Sequence, residues 1–324
     1  MGGSFPVVDA SNANGAVLVS GQGSEISLSG ALTDVQIGRD GIGSMTIEQG
    51  GLLQGALFTT LGRFSGGSGV LLIDGTNDPA GTRSTYALSG AQIGTDFGAF
   101  MNIGLEGFGS VTVQDGGLLS IDGETGIGPG MNIGRNAGSV GMLTIEGVGS
   151  ELIITGNEAF VSIGRTGAGM LTLSGGASAT IGSDAFVEVG RDAGGVGTLA
   201  VLSGSQFIMQ GGNDFSQLVL GRFAGSEGTA IVQGPGSRIA SLDIVENRLE
   251  IGREGTGSLS ILDGGLVDGF DNVFVGREGT ATGTLLISGF DEGTQTRSEI
   301  NVIDSINFGQ DFDNNSFEAI LGGS

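Results

Sequence analysis

The stretch LEIGREGTGSLSILDGGLV, Leu249 to Val267, decides how this chain folds. Apolar residues alternate with small polar ones at Leu249 and Ile251, and again at Leu259 and Ile261. Alternation of period two places successive side chains on opposite faces of a strand. Glycines punctuate the alternation, where sharp positive-φ turns are needed. The same wording returns as VQIGRDGIGSMTIEQGGLL from Val35 and as MNIGLEGFGSVTVQDGGLLSI from Met101.

The Gly of the IGR element falls at Gly38, Gly62, Gly104, Gly134, Gly164, Gly190, Gly221, Gly252 and Gly276. The spacing runs from 24 (Gly38 to Gly62) to 42 residues (Gly62 to Gly104), and the long gap holds an insertion near residues 76–100. Within that insertion Gly94 reads as a vestigial marker. Each unit carries three short alternating segments, as in MNIG, GMLTIEG and SELIIT from Met131 onward. Helical spacing is nowhere sustained. Three strands per unit, with units of unequal length, predict an all-β, right-handed parallel β-helix of about ten coils, with Ile37, Ile133, Ile163, Val189 and Ile251 facing inward. A β-propeller fits less well, because a blade needs about 40 residues or more and four strands.

The domain reading follows. Residues 1–34 are an N-terminal cap and half-coil, 35–297 the repeat domain, and 298–324 a worn last coil with a C-terminal cap. Phe5, Val7 and Val8 are the apolar plug at one end; Phe317, Ile320 and Leu321 are the plug at the other. The MGGS and GGS ends read as appended or trimmed flanks, so a longer parent protein is expected.

Composition narrows the function. Glycine makes up 68 of 324 residues, about 21% against an average near 7%. A 38% hydrophobic fraction with alternating Val, Ile and Leu argues against glycine-rich disorder. The net charge is −23, and His, Cys, Lys and Trp are absent. Such a chain repels nucleic-acid phosphates and anionic membranes. It has no thiolate for a disulfide or a metal, and no lysine for a phosphate loop. No apolar run approaches a bilayer span, and no signal segment precedes the repeats.

The unit I-G-R-x-G-x-G-x-L-x-I-x-x-G-G, as in Ile251 to Gly265, resembles the repeat of type V secretion (autotransporter) passengers and PEP-CTERM-associated surface proteins of bacteria. The resemblance covers roughly Val35 to Gly289. It implies export to the cell surface or extracellular matrix, a structural or adhesive role such as in biofilm, and no fixed catalytic residues. Other protein chains and surface carbohydrate are the expected partners, and the unpaired backbone edges of the first and last coils add copies of the chain itself, joined end to end unless the terminal segments cap them.

Four polar features compete for a functional role. Arg39, Arg63, Arg135, Arg165, Arg191, Arg222, Arg253 and Arg277 form a column after the marker glycines, broken at Leu105 and Gln310. Recurrence once per coil is what folding demands, so the column reads as structural, with an anion-binding ladder as its rival. Thr46, Thr112, Thr144 and Thr172 form an interrupted outward file, continued by Ala200, Ile231, Ser260 and Leu286, without the second threonine file that an ice-binding face would need. The acidic turns around Asp268, Asp271 and Asn272, and around Asp311, Asp313 and Asn314, offer oxygen ligands for Ca²⁺ without the spacing of a calcium loop. Carboxylates occur one or two per coil in turns, without a cluster that breaks the repeat. The chain therefore reads as non-enzymatic and without cofactor, with a polysaccharide lyase or glycoside hydrolase as the alternative.

Overall fold

The computed structural model describes residues 13–75, 81–90, 97–123, 128–212, 215–242 and 246–309. The plugs at Phe5, Val7, Val8, Phe317, Ile320 and Leu321 lie outside these residues, as do Gly94, Gln310, Asp311, Asp313 and Asn314. The described chain is strand and turn, and no helix in it is long and apolar enough to cross a membrane.

The strands stack into three parallel ladders, one strand of each per coil. The first ladder is a sheet of ten strands from Asn14–Ser20 to Thr282–Ser288. The second begins at Glu25–Ser27 and the third at Asp34–Ile37. They merge in two ten-residue strands, Leu266–Val275 and Glu299–Phe308, whose pairing shifts register on either side of Phe270 to turn the corner. Nine steps separate the ten strands of the first ladder, so the rod is about 43 Å long at the usual strand spacing. The first coil already begins at Asn14, which pairs with Ile42, inside the segment assigned to the cap and half-coil.

The 42-residue interval is a single coil. Phe58–Leu61 pairs directly with Phe100–Ile103, and Thr85–Ser89 supplies the intervening second-ladder strand. Residues 76–80 and 91–96 of this interval, Gly94 among them, lie outside the described residues. Identical register from coil to coil stacks like side chains. Leu143, Leu171, Leu199, Ala230 and Leu259 form one inward file of the first ladder. Ile103, Ile133, Ile163 and Val189 form another in the third, all fully buried. Full burial of such a side chain contributes about 1.5–3 kcal/mol, and no coil can bury both its faces without neighbours.

The corner from first to second ladder explains the Gln-Gly and Asp-Gly pairs of the repeat. Gln49 and Gly50, Asp115 and Gly116, and Asp263 and Gly264 all have positive φ. Gly51 N–H donates to Glu48 O at 3.0 Å, closing a tight turn that Asp, Asn and Gly tolerate best. Acidic residues at these positions are turn formers. A file of buried serines backs the corner: Ser84, Ser150, Ser205 and Ser237 accept the amide N–H of Gly50, Gly116, Gly176 and Gly204 on the preceding coil, at 2.9–3.2 Å.

Candidate functional site: the arginine column

The IGR turn closes each third-ladder strand. At Gly164, φ is +68°, and an added Cβ would lie 2.1 Å from Val196 O on the next coil. Only glycine satisfies both the left-handed conformation and that approach. The turn is bonded to its predecessor: Gly164 N–H donates to Ile133 O at 2.7 Å, and Arg165 N–H to Gly134 O at 2.9 Å. The arginine backbones are therefore fixed one above another, and their side chains share the outer face of the third ladder. There they cover residues that point away from the core. Thr60, Asn102, Asn132, Ser162, Glu188, Val219, Glu250 and Phe274 are all buried.

Beyond Ser162 the column is a ladder of charge pairs. Glu188 lies between Arg191, at 3.1 Å, and Arg222 of the next coil. Glu250 repeats the arrangement with Arg253, at 3.7 Å, and Arg277. One buried carboxylate thus joins two coils. Asp192 contacts Arg165 at 3.1 Å and Arg191 at 3.6 Å, and Glu278 contacts Arg277 at 3.4 Å and Arg253 at 3.7 Å. At the N-terminal end, Arg39 meets Asp40 at 3.6 Å and Arg63 meets Asp34 at 3.8 Å. Phenylalanines supply ring faces: Phe64 lies 5.3 Å from both Arg39 and Arg63, Phe223 4.7 Å from Arg222, and Phe274 4.9 Å from Arg277. Burial raises the Glu250 carboxyl above its ordinary range, against the pull of Arg277 and Arg253. Desolvation therefore outweighs the attraction at this site.

Arg135 departs from the pattern. Among the described residues it makes no ion pair, and its one polar side-chain contact is Asn102 Oδ1 at 3.5 Å. Asn136 stands where Asp40, Asp192, Glu254 and Glu278 follow other column arginines, and Asn132 stands where Glu188 and Glu250 lie. Burial, and then the charge of Arg165, hold the Arg135 guanidinium below its ordinary proton affinity. Arg191 is lowered by the same two causes, offset in part by Asp192.

The other sequence candidates are placed as follows. Asp268 accepts two hydrogen bonds from Arg238, both 2.8 Å, and Asp271 accepts Asn247 N–H at 2.8 Å. Asp268 is the partner of a bidentate arginine, a role that competes with metal ligation. Among the described residues no three His, Cys, Asp or Glu side chains gather as a metal would require. Thr46, Thr112, Thr144 and Thr172 share one outward file of the first ladder with Leu72 and Ala200. The adjacent file mixes Val70, Met142 and Met170 with Ser110 and Thr198, so the face is no regular hydroxyl array.

Sequence reasoning missed Arg83. It bonds Gly116 O, Gly117 O, Gly149 O and Glu151, at 2.6–3.0 Å, fastening three coils at the second-ladder corner. It lies inside the insertion, off the marker spacing, and nothing periodic signals it. Glu188 and Glu250 were legible as outward positions, but their burial depends on arginines from two coils. No family model, no curated protein and no solved structure matches this chain.

Proposed function

We propose that this chain is a rigid, non-enzymatic scaffold segment of an exported bacterial surface or matrix protein, associating with other copies of itself. The observation that carries the reading is the unbroken register of the first ladder, ten strands long, in which each coil repeats the last. A spacer needs such continuity, whereas a catalytic centre needs a local departure with converging acids. Glu188, Asp192, Glu250 and Glu278 on the column are each engaged by arginines of two coils and hold those coils together.

The outer face of the first ladder supports self-association. Its two central files, Ala16 to Thr284 and Leu18 to Leu286, carry no charged residue in any of the ten strands. Val70 and Met170 on it are exposed. In a chain of net charge −23, this strip is where a second equally acidic copy meets least repulsion.

Sedimentation across a salt series, with Thr144→Glu as the comparison, tests the proposal. Screening of the net charge should increase association of the wild type, and a carboxylate in the strip should suppress it. A wild type that remains monomeric at every salt and protein concentration would remove the self-association, and depolymerisation of an acidic or neutral polysaccharide would replace the scaffold with the enzyme.

A further inference from the structure

We infer that the groove between Phe100 and Phe160 on the third ladder binds a carboxylate carried on a six-membered ring. The first observation is a break in an otherwise regular file. Phe58, Phe100, Gly130, Phe160 and Phe186 are successive outward residues in register. The Phe58 and Phe100 rings lie 4.8 Å apart, tilted at 58°, whereas Gly130 carries no ring and the Phe160 ring leans over it, its Cδ1 2.8 Å from where a Cβ would stand. The groove, of about 270 Å³, is lined by Phe97, Phe100, Asn132, Phe160, Arg135 and Arg165, with Gly128 and Arg191 at its margins.

Charge supplies the second observation. The groove is flanked by Arg135, Arg165 and Arg191, while the nearest carboxylates, Glu188 and Asp192, are held by Arg165, Arg191 and Arg222. Arg135 has no such partner among the described residues. An anion there would relieve its repulsion with Arg165 and accept from its planar fork.

Together these features select the ligand. Rings on both sides favour a body with flat C–H or π faces. One unpaired guanidinium favours a single negative charge, and the chain's overall acidity opposes dianions and polyanions. A uronic-acid sugar and an aromatic acid share this chemistry. The site is independent of the scaffold reading, since it lies on a different face.

Nitrogen-detected NMR of the arginine Nε–H groups tests the inference, with glucuronate and benzoate as probes. Acetate, methyl glucoside and inorganic phosphate are the comparisons. At least one ring acid should shift Arg135 and Arg165 and leave Arg253 and Arg277 unmoved. The tighter of the two tells a glycan source from an aromatic one. Arg135→Gln should weaken binding about tenfold or more, the scale of one charge-assisted hydrogen bond. Arg135→Lys should recover only part of it, and Arg39→Gln should change nothing. Unchanged backbone amide shifts in distant coils establish that the variants are folded. Acetate or phosphate binding as tightly as the ring acids would overturn the assignment, as would the absence of any shift at Arg135 with both ring acids.

Discussion

Replacing Gly164 by Ala separates two costs that the repeat imposes on its marker glycine, and Gly194→Ala is the reference. Both residues are left-handed, at φ +68° and +81°. An L side chain there costs about 1–2 kcal/mol. At Gly194 nothing lies within 4 Å of the added Cβ, so the cost ends there. At Gly164 the Cβ would meet Val196 O at 2.1 Å, Val196 C at 2.3 Å and Gly197 N at 2.7 Å. These atoms are backbone. Ordinary contact begins near 3.4 Å, so the next coil must retreat by more than 1 Å on that side. Such a shift strains Gly190 N–H to Ile163 O, at 2.8 Å, and Val196 N–H to Gly167 O, at 3.0 Å. Two weakened bonds add about 1–3 kcal/mol. The expected losses are therefore about 1–2 kcal/mol for Gly194→Ala and about 2–5 for Gly164→Ala. A solenoid need not unfold in one step, so the assay is native-state hydrogen exchange. Amides of residues 190–197 should lose protection in Gly164→Ala and keep most of it in Gly194→Ala. Equal losses in the two variants would refute the claim that coil contact fixes the marker glycine.

Three further outcomes are expected. Tyr86, the sole tyrosine, is buried with its hydroxyl 2.9 Å from Thr59 Oγ1, and burial raises its pKa; its ultraviolet absorbance should stay that of the neutral phenol through the ordinary tyrosine range near pH 10 and change only on unfolding. Glu250 is raised in the folded state, so the fold binds its proton more readily than the unfolded chain, and its contribution is fully present below the ordinary carboxylate range and lost as pH rises through the folded value. Wild type should thus gain stability relative to Glu250→Gln as pH falls from 7 toward 4.5, and a pH-independent gap between their melting curves would contradict this. Ile163→Asp places a charge at a fully buried position and should cost about 4 kcal/mol or more, melting several coils together; an unchanged melting curve would show that Ile163 does not face inward.

The strands, their faces and their stacking were legible because one rule, alternation, was repeated in every coil. Ile37, Ile133, Ile163, Val189 and Ile251 are all buried as that rule requires. The arginine column was legible for the same reason, since spacing from a marker glycine fixes which residues share a file. What escaped the sequence was contact between positions that do not recur. Arg83 reaches residues 33 to 68 positions away. The break in the phenylalanine file at Gly130 is invisible until register aligns it with Phe100 and Phe160. The 42-residue interval looked able to hold a vestigial coil, because length alone does not say whether extra residues wind around the axis or leave it. Direct pairing of Phe58 with Phe100 places the strands that flank the interval in adjacent coils.

The distribution of acids along the column ties these observations together. Arginines stacked at strand spacing lie about 4.8 Å apart along the rod, close enough for their repulsion to matter unless carboxylates intervene. From Glu188 onward the chain meets this with one buried glutamate for two arginines: Glu188 serves Arg191 and Arg222, and Glu250 serves Arg253 and Arg277. The coil between them carries Val219 at the equivalent position. Those two glutamates offset half the charge of the four arginines and cross-link coils in pairs, and Asp192 and Glu278 add two further carboxylates. On the other side of Ser162 the equivalent positions are Asn102 and Asn132, joined to each other by a 3.0 Å hydrogen bond. Amides satisfy one another without neutralising anything. Arg135 without a carboxylate and Gly130 without a ring place two departures from the repeat in a single coil, and the proposed ligand would supply the charge that Arg135 lacks.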